Sequence, residues 1–207
     1  MAPALTERGR RALWVAAALA LAACAGGQQF AGQPAVPGGA STTAAAGAPP
    51  APALEAPTRP SLGLFTQIRA PSEVEPVLEL AAAGVQIFRC EADKDGFHWV
   101  FRLPEAELRD ARDQVVAHHG ANYSFEHVDG SRLIGTIVGY DSAPSGDALR
   151  WLLLRTQSYG QGELGKVTYV QRVETTGGMP PSQCSADQVN QILRVPFSAK
   201  FIFYRPR

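Results

Sequence analysis

The second half of the chain is a series of short apolar segments separated by turn residues. Segments rich in β-branched and aromatic residues, which are typical of strands, cover residues 77–82, 85–91, 97–103, 114–119, 123–128, 133–140, 149–158, 166–174 and 192–204. Gly84 separates the first two, which form two strands or one strand bent at the glycine. Because no long amphipathic helix lies between the segments, the pattern predicts an all-β domain, an antiparallel β-sandwich or barrel of about 8–10 strands.

Several local patterns add detail to this prediction. Residues 93–96 and 129–131 combine aspartate with glycine, which tolerate turn backbone, so each predicts a tight turn. Residues 151–154 are apolar without alternation, which indicates a strand covered on both faces. Residues 104–113 begin with proline and glutamates that suit a helix start, so we expect one or two short helical turns there. Pro196 lacks a backbone N–H, which favours an edge position, a bulge or a strand start.

The first 23 residues have the layout of an export signal. Three arginines precede an apolar run over residues 12–21, which is too short for a bilayer span, since a span needs roughly 20 apolar residues. The segment ends in Leu-Ala-Ala before Cys24, which resembles the lipobox of bacterial lipoproteins. We expect a signal peptide over residues 1–23, cleavage before Cys24 and a membrane anchor through lipid on this cysteine. The alternatives are an ordinary secretory signal, a buried helix, or a twin-arginine signal at Arg10 and Arg11.

The residues that follow the signal predict location and domain organisation. Ala25, rather than an acidic residue, follows the cysteine, and by resemblance to the lipoprotein sorting pattern this favours an outer membrane in a cell that has one. We expect a protein of the cell envelope, with the face of the membrane left open. Residues 24–60 are rich in Ala, Gly and Pro and bury too little apolar surface to offset their ordering entropy. We therefore expect a disordered tether there and a single β domain over residues 61–207.

The charge balance does not indicate a nucleic-acid partner. Cleavage before Cys24 would remove three arginines and Glu7, which leaves 16 basic and 18 acidic side chains and a formal charge of −2. The basic residues form no run or patch of the kind that binds a phosphate backbone. The partners we expect are the membrane, through the lipid on Cys24, and an envelope ligand or protein whose identity stays open.

Two cysteines remain once Cys24 carries lipid. An even pair in an oxidising compartment favours a disulfide between Cys90 and Cys184. Two buried free thiols are the alternative, because the sequence does not show whether the two Cα atoms come within bridging distance.

The densest group of potential metal ligands is His118, His119, Glu126 and His127. Adjacent side chains on a strand point to opposite faces, so at most one of His118 and His119 could join Glu126 or His127. The spacing is not diagnostic, and histidines hydrogen-bonded at a sheet surface fit it as well. The sequence contains no Gly-x-Ser-x-Gly elbow and no phosphate loop between a strand and a helix. We therefore assign no catalytic residue and expect no cofactor.

Three functions fit these features. The first is non-enzymatic binding of a ligand or partner in the cell envelope. The second is a carrier of a small apolar molecule, similar to a lipocalin, with aromatic side chains around a barrel cavity. The candidates for that lining, which would otherwise be core residues, are Trp99, Phe101, Trp151, Tyr169 and Phe201. The third is a metal-dependent hydrolase that uses His118 or His119 with Glu126.

Short motifs run through the whole β domain. They are GVQIFRC at residues 84–90, DGS at 129–131 with Gly135, WLLL at 151–154, VQR at 170–172, TGG at 176–178, PSQC at 181–184, VPFSA at 195–199 and FY at 203–204. In this order they resemble the bacterial and fungal family known as domain of unknown function 3455, over about residues 72–204. The resemblance implies the domain limits and a pairing of Cys90 with Cys184, and it carries no activity, ligand or catalytic residue.

Overall fold

The apolar segments form eight antiparallel strands that close into one barrel in a computed structural model, which describes residues 56–207. The strands are β1 (Val74–Asp93), β2 (Gly96–Arg109), β3 (Val115–Gly120), β4 (Ser124–His127), β5 (Arg132–Asp141), β6 (Trp151–Tyr159), β7 (Tyr169–Gly177) and β8 (Ile192–Pro206). Two 3-10 turns, Ala121–Tyr123 and Ala186–Gln188, are the helical elements of this region. The predicted all-β class is confirmed. The expected signal peptide, Cys24 and the tether up to residue 55 lie outside the described residues.

Each strand pairs with the next along the chain, and β8 returns to pair with β1, which closes the barrel. β1 is one strand rather than two. At Gly84 it approaches β2 so closely that a Cβ would overlap the carbonyl oxygen of Glu105 and lie 2.5 Å from the Cα of Ala106. Pro196 pairs with Val85 of β1, but the pairing of β8 with β7 ends at Phe197. The proline therefore lies at a local edge, as predicted.

The prediction of short helical turns over residues 104–113 is wrong. β2 continues to Arg109 and pairs there with both β1 and β3. Buried and exposed side chains alternate along this part of β2, with Pro104, Ala106 and Leu108 buried and Glu105 and Glu107 exposed. Burial of the apolar face by long-range pairing therefore outweighs the local preference of proline and glutamate for a helix start.

The two faces of β6 pack against different groups of residues. Leu152 and Leu154 belong to the core inside the barrel. Leu153 points outward, where Leu62 and Ile68 of the segment over residues 56–73 cover it. The side-chain amide of Gln171 donates to the carbonyl of Ile68 at 2.6 Å and helps to hold this segment on the barrel wall. The prediction that residues 151–154 are covered on both faces is confirmed.

One end of the barrel is closed by the loop between β6 and β7. Leu164 of this loop is fully buried in the interior core. Asp129, in the predicted turn between β4 and β5, accepts hydrogen bonds from the Ser131 hydroxyl at 2.6 Å and from the backbone N–H of Glu163 at 2.8 Å. These bonds, with one from the Ser131 backbone, hold the pKa of Asp129 well below its ordinary value. The carboxylate therefore fastens the loop to the barrel in its ionised form.

Candidate functional site

The other end of the barrel opens into a cavity of about 560 Å³. This volume lies in the range of pockets that bind small molecules in proteins. The walls come from β1, β2, β3, β5, β6 and β7, from the 3-10 turn after β3 and from the segment after β7. The lining residues are Gln86, Phe88, Trp99, Phe101, Pro104, His119, Tyr123, Ile137, Tyr140, Leu149, Arg150, Leu152, Arg172, Met179 and Pro180.

Most of the cavity wall is apolar. The rings of Phe88 and Phe101 pack edge to face with centroids 5.7 Å apart. Phe101, Ile137 and Met179 remain 40–49% exposed at the mouth. Apolar side chains that stay in contact with water around a concavity are a feature of binding sites, because their burial by a ligand is favourable.

His119 points into this cavity as a buried, neutral imidazole. Only 2% of the residue is exposed, and its ring stacks on Phe125 with centroids 4.5 Å apart. Nδ1 lies 2.9 Å from the carbonyl oxygen of Ser124, which can only accept, so Nδ1 carries the proton and Nε2 is a free acceptor. Burial, reinforced by the charge of Arg172, lowers the pKa of His119 to about 4. Within residues 56–207 Nε2 has no hydrogen-bond partner.

Arg172 brings a positive charge into the same cavity. It is 7% exposed, and its Nε and Nη2 donate to the backbone carbonyl of Arg150 at 3.2 and 2.9 Å. No carboxylate of the described residues forms an ion pair with it. Burial lowers the pKa of Arg172 to about 10, so the guanidinium remains charged at neutral pH without a counter-ion from this part of the chain.

Gln86 is the third buried polar side chain that lines the cavity. It is 3% exposed, and its Nε2 donor has no hydrogen-bond partner in the described part of the chain. Buried polar groups are normally paired, because an unpaired one costs roughly 1–3 kcal/mol. A free donor, a free acceptor and an uncompensated cation in one apolar cavity therefore form a site that is suited to a ligand with a polar end.

The structure separates the four residues that the sequence groups as potential metal ligands. His118 and Glu126 are neighbours across β3 and β4 on the exposed outer face, whereas His119 points inside. The imidazole of His127 lies at the closed end, with Nδ1 3.0 Å from a carboxylate oxygen of Asp129. Among residues 56–207, no three His, Cys, Asp or Glu side chains converge as a metal site. The arrangement therefore does not bring His119 and Glu126 into one cleft.

The five aromatic residues that were candidates for a cavity lining also lie in different places. Trp99 and Phe101 line the cavity, and Phe201 is buried in the interior core. Trp151 and Tyr169 pack outside the barrel with the 56–73 segment. Gln86 and Arg172 line the cavity and were not predicted. The signal for Gln86 was a polar side chain within the apolar run over residues 85–88 of β1, whereas Arg172 lies beside Gln171 in a strand with several polar residues and gave no such signal.

A disulfide joins Cys90 and Cys184, with the two Cα atoms 6.0 Å apart. Cys90 lies in β1, and Cys184 lies in the connection between β7 and β8. The same connection carries Met179 and Pro180 of the cavity mouth. The backbone N–H of Asn190 also donates to the carbonyl of Cys90 at 2.9 Å. The predicted disulfide is therefore present, and it anchors one side of the mouth to the barrel.

Fold and site define the class of this protein as a closed, eight-stranded antiparallel barrel with an apolar cavity and buried polar groups at its open end. Over residues 71–205 the chain matches the model of the family described as Protein of unknown function (DUF3455). This match spans more than half of the chain, so the protein belongs to that family, as the motifs indicated. Neither the curated proteins nor the solved structures contain a match to the chain.

Proposed function

We propose that this chain is an exported, lipid-anchored protein of the cell envelope whose barrel binds a small, largely apolar molecule non-enzymatically. The cavity of about 560 Å³ carries the binding part of the proposal, because apolar walls with a few buried polar groups are the usual build of a small-molecule site. Binding would cover the exposed apolar side chains at the mouth and give partners to the buried polar atoms.

The sequence of the first 24 residues supports the envelope part of the proposal. The layout of an export signal and the resemblance of its end to a lipobox support a lipid on Cys24, and Ala25 favours an outer membrane. The Cys90–Cys184 disulfide fits export, because structural disulfides persist in oxidising compartments. Within residues 56–207 no helix is long and apolar enough to cross a membrane.

Replacing Cys24 by alanine tests the anchor. We expect Cys24→Ala to move the protein from the membrane fraction to the soluble fraction, because lipidation requires the cysteine thiol. The measurement is an immunoblot of both fractions after cell breakage. Cys90→Ala/Cys184→Ala is the control, since it removes the other cysteines and should leave the protein with the membrane. Retention of Cys24→Ala on membranes contradicts the lipid anchor.

A substitution at the cavity mouth tests ligand binding. We expect Ile137→Ser to weaken binding of the neutral apolar fluorophore N-phenyl-1-naphthylamine by about 5- to 10-fold, because the change removes apolar contact area that the probe would cover. The measurement is the rise in probe fluorescence on titration with the purified full-length chain.

Ile134→Ser is the matched control for this experiment. Ile134 lies on the same strand and is 46% exposed, against 40% for Ile137, but it does not line the cavity. Probe binding to Ile134→Ser should equal that of the unaltered chain. Equal affinities for the two variants, or no fluorescence change with the unaltered chain, would show that this cavity does not bind apolar molecules.

A further inference from the structure

Arg172 is the feature of the cavity that the fold itself does not explain. A buried charge is stable only when it is paired or well hydrogen-bonded, because its removal from water costs several kcal/mol or more. The guanidinium has five N–H donors, and the structure directs the Nε and Nη2 groups to one backbone carbonyl, that of Arg150. A carbonyl dipole does not neutralise the charge, so an anion is the partner that this position lacks.

The other charges near the cavity do not supply that anion. His119 is neutral at physiological pH, and its free Nε2 is an acceptor without charge. Tyr123 and Tyr140 are phenols, and Arg150 at the mouth adds a second positive charge, with its guanidinium 4.9 Å from the Tyr140 ring centroid. The field inside the cavity is therefore positive, and it favours a ligand with a negative group.

Gln86 indicates the form that this negative group takes. Its unpaired Nε2 donates hydrogen bonds, as does the guanidinium, and both side chains line the same cavity. A carboxylate has two oxygens that accept from two separate donors and matches the geometry of a guanidinium. It also carries one negative charge, which balances the one buried cation.

The apolar wall of the cavity indicates the chemistry of the rest of the ligand. Phe88, Phe101 and Ile137 line the cavity between the buried polar groups and the mouth, and two of them are partly exposed. A small hydrophilic acid would leave these side chains in water. An acid with an apolar body would cover them and gain the free energy of apolar burial.

We propose that the cavity binds an amphipathic carboxylic acid, with its carboxylate between Arg172 and Gln86 and its apolar body against Phe88, Phe101 and Ile137. This assignment rests on the proposed ligand-binding function and adds the chemical class of the ligand.

Competition between decanoate and uncharged or positively charged analogues tests the assignment. N-phenyl-1-naphthylamine is bound to the purified full-length chain and displaced with decanoate, decan-1-ol, decylamine or acetate at neutral pH. We expect decanoate to displace the probe at a concentration about 10- to 100-fold lower than decan-1-ol, which corresponds to one or two charge-assisted hydrogen bonds. Decylamine and acetate should be weaker than decan-1-ol.

Arg172→Gln should abolish the preference for the acid. We expect decanoate and decan-1-ol to displace the probe equally well from this variant, while the neutral probe itself still binds, which shows that the barrel and cavity persist. Gln86→Leu should reduce the preference several-fold in the same assay. Arg155→Gln is the matched control, because Arg155 is an exposed arginine of β6 that does not line the cavity, and it should keep the full preference.

The outcomes separate the two proposals. If the probe binds and decan-1-ol or decylamine competes as well as decanoate, the carboxylate assignment is overturned and ligand binding stands. If Arg172→Gln keeps the preference for decanoate, Arg172 is not the group that binds the carboxylate and the assignment also fails. If the probe does not bind to the unaltered chain, the proposed function itself is wrong.

Discussion

Replacing Cys90 and Cys184 by alanine should lower the free energy of unfolding by about 4 to 5 kcal/mol. The two cysteines are 94 residues apart in the sequence, and a cross-link over so long a loop removes much of the conformational freedom of the unfolded chain. A loss of this size is a large fraction of the stability of an ordinary domain, which is about 5–15 kcal/mol. The midpoint of urea unfolding, followed by circular dichroism, measures it.

Reduction provides the control for the disulfide variant. Dithiothreitol should lower the unfolding midpoint of the unaltered chain to near that of Cys90→Ala/Cys184→Ala and should not change the variant. We also expect weaker binding of N-phenyl-1-naphthylamine after reduction, because the disulfide holds the segment with Met179 and Pro180 beside the cavity mouth. An unfolding midpoint that is the same with and without dithiothreitol would contradict a stabilising role for the disulfide.

Acidification from pH 6.5 to about pH 4 should destabilise the barrel by roughly 3 kcal/mol through His119 alone. Burial lowers the pKa of this imidazole from 6.5 in an exposed state to about 4. Between these two values the unfolded chain binds a proton that the folded chain does not, so the free energy of unfolding falls as the pH falls. Below about pH 4 both states are protonated and the contribution of His119 no longer changes.

Comparison with histidine variants isolates this effect. The free energy of unfolding, measured by urea titration at several pH values, should change less with pH between pH 4 and 6.5 for His119→Phe than for the unaltered chain. His118→Gln is the matched control, because His118 is exposed on the outer face, and its pH dependence should be unchanged. Asp129 changes the free energy of unfolding mainly below this interval, because the ordinary pKa of its carboxyl is 3.8 and the folded state lowers it further. Parallel curves for His119→Phe and the unaltered chain would show that His119 does not titrate as described.

Turns and strand interiors were predictable because their determinants are local. The Asp-Gly turns at residues 93–96 and 129–131 depend on backbone that those residues tolerate, and both connect neighbouring strands. The apolar run at residues 151–154 indicated burial on both faces, and the core and the 56–73 segment provide it. The cysteine pair was predictable because, with Cys24 expected to carry lipid, the two remaining cysteines are an even number, which favours a bridge.

Residues 104–113 show where local preference fails. Proline followed by glutamates suits a helix start, but the same residues alternate between buried and exposed when they pair with β1 and β3. The alternation of apolar and polar residues in this segment was visible in the sequence. Whether it forms a strand depends on pairing with β1 and β3, and both lie outside residues 104–113. Closure as a barrel instead of a sandwich has the same origin, since it depends on β8 pairing with β1.

The sequence by itself determined the all-β class, most of the strand interiors and turns, and the family, because each depends on residue type and on short motifs. For the two cysteines it favoured a bridge, and the tertiary structure decided that their Cα atoms lie within bridging distance. The sequence also determined that His118 and His119 face opposite sides of a strand. The tertiary structure alone decided that His119 faces inward, that Arg172 and Gln86 share its cavity, and that Glu126 lies outside. The inside of a barrel is defined by closure, and closure joins residues from both ends of the domain, so no local pattern can specify which polar side chains it buries.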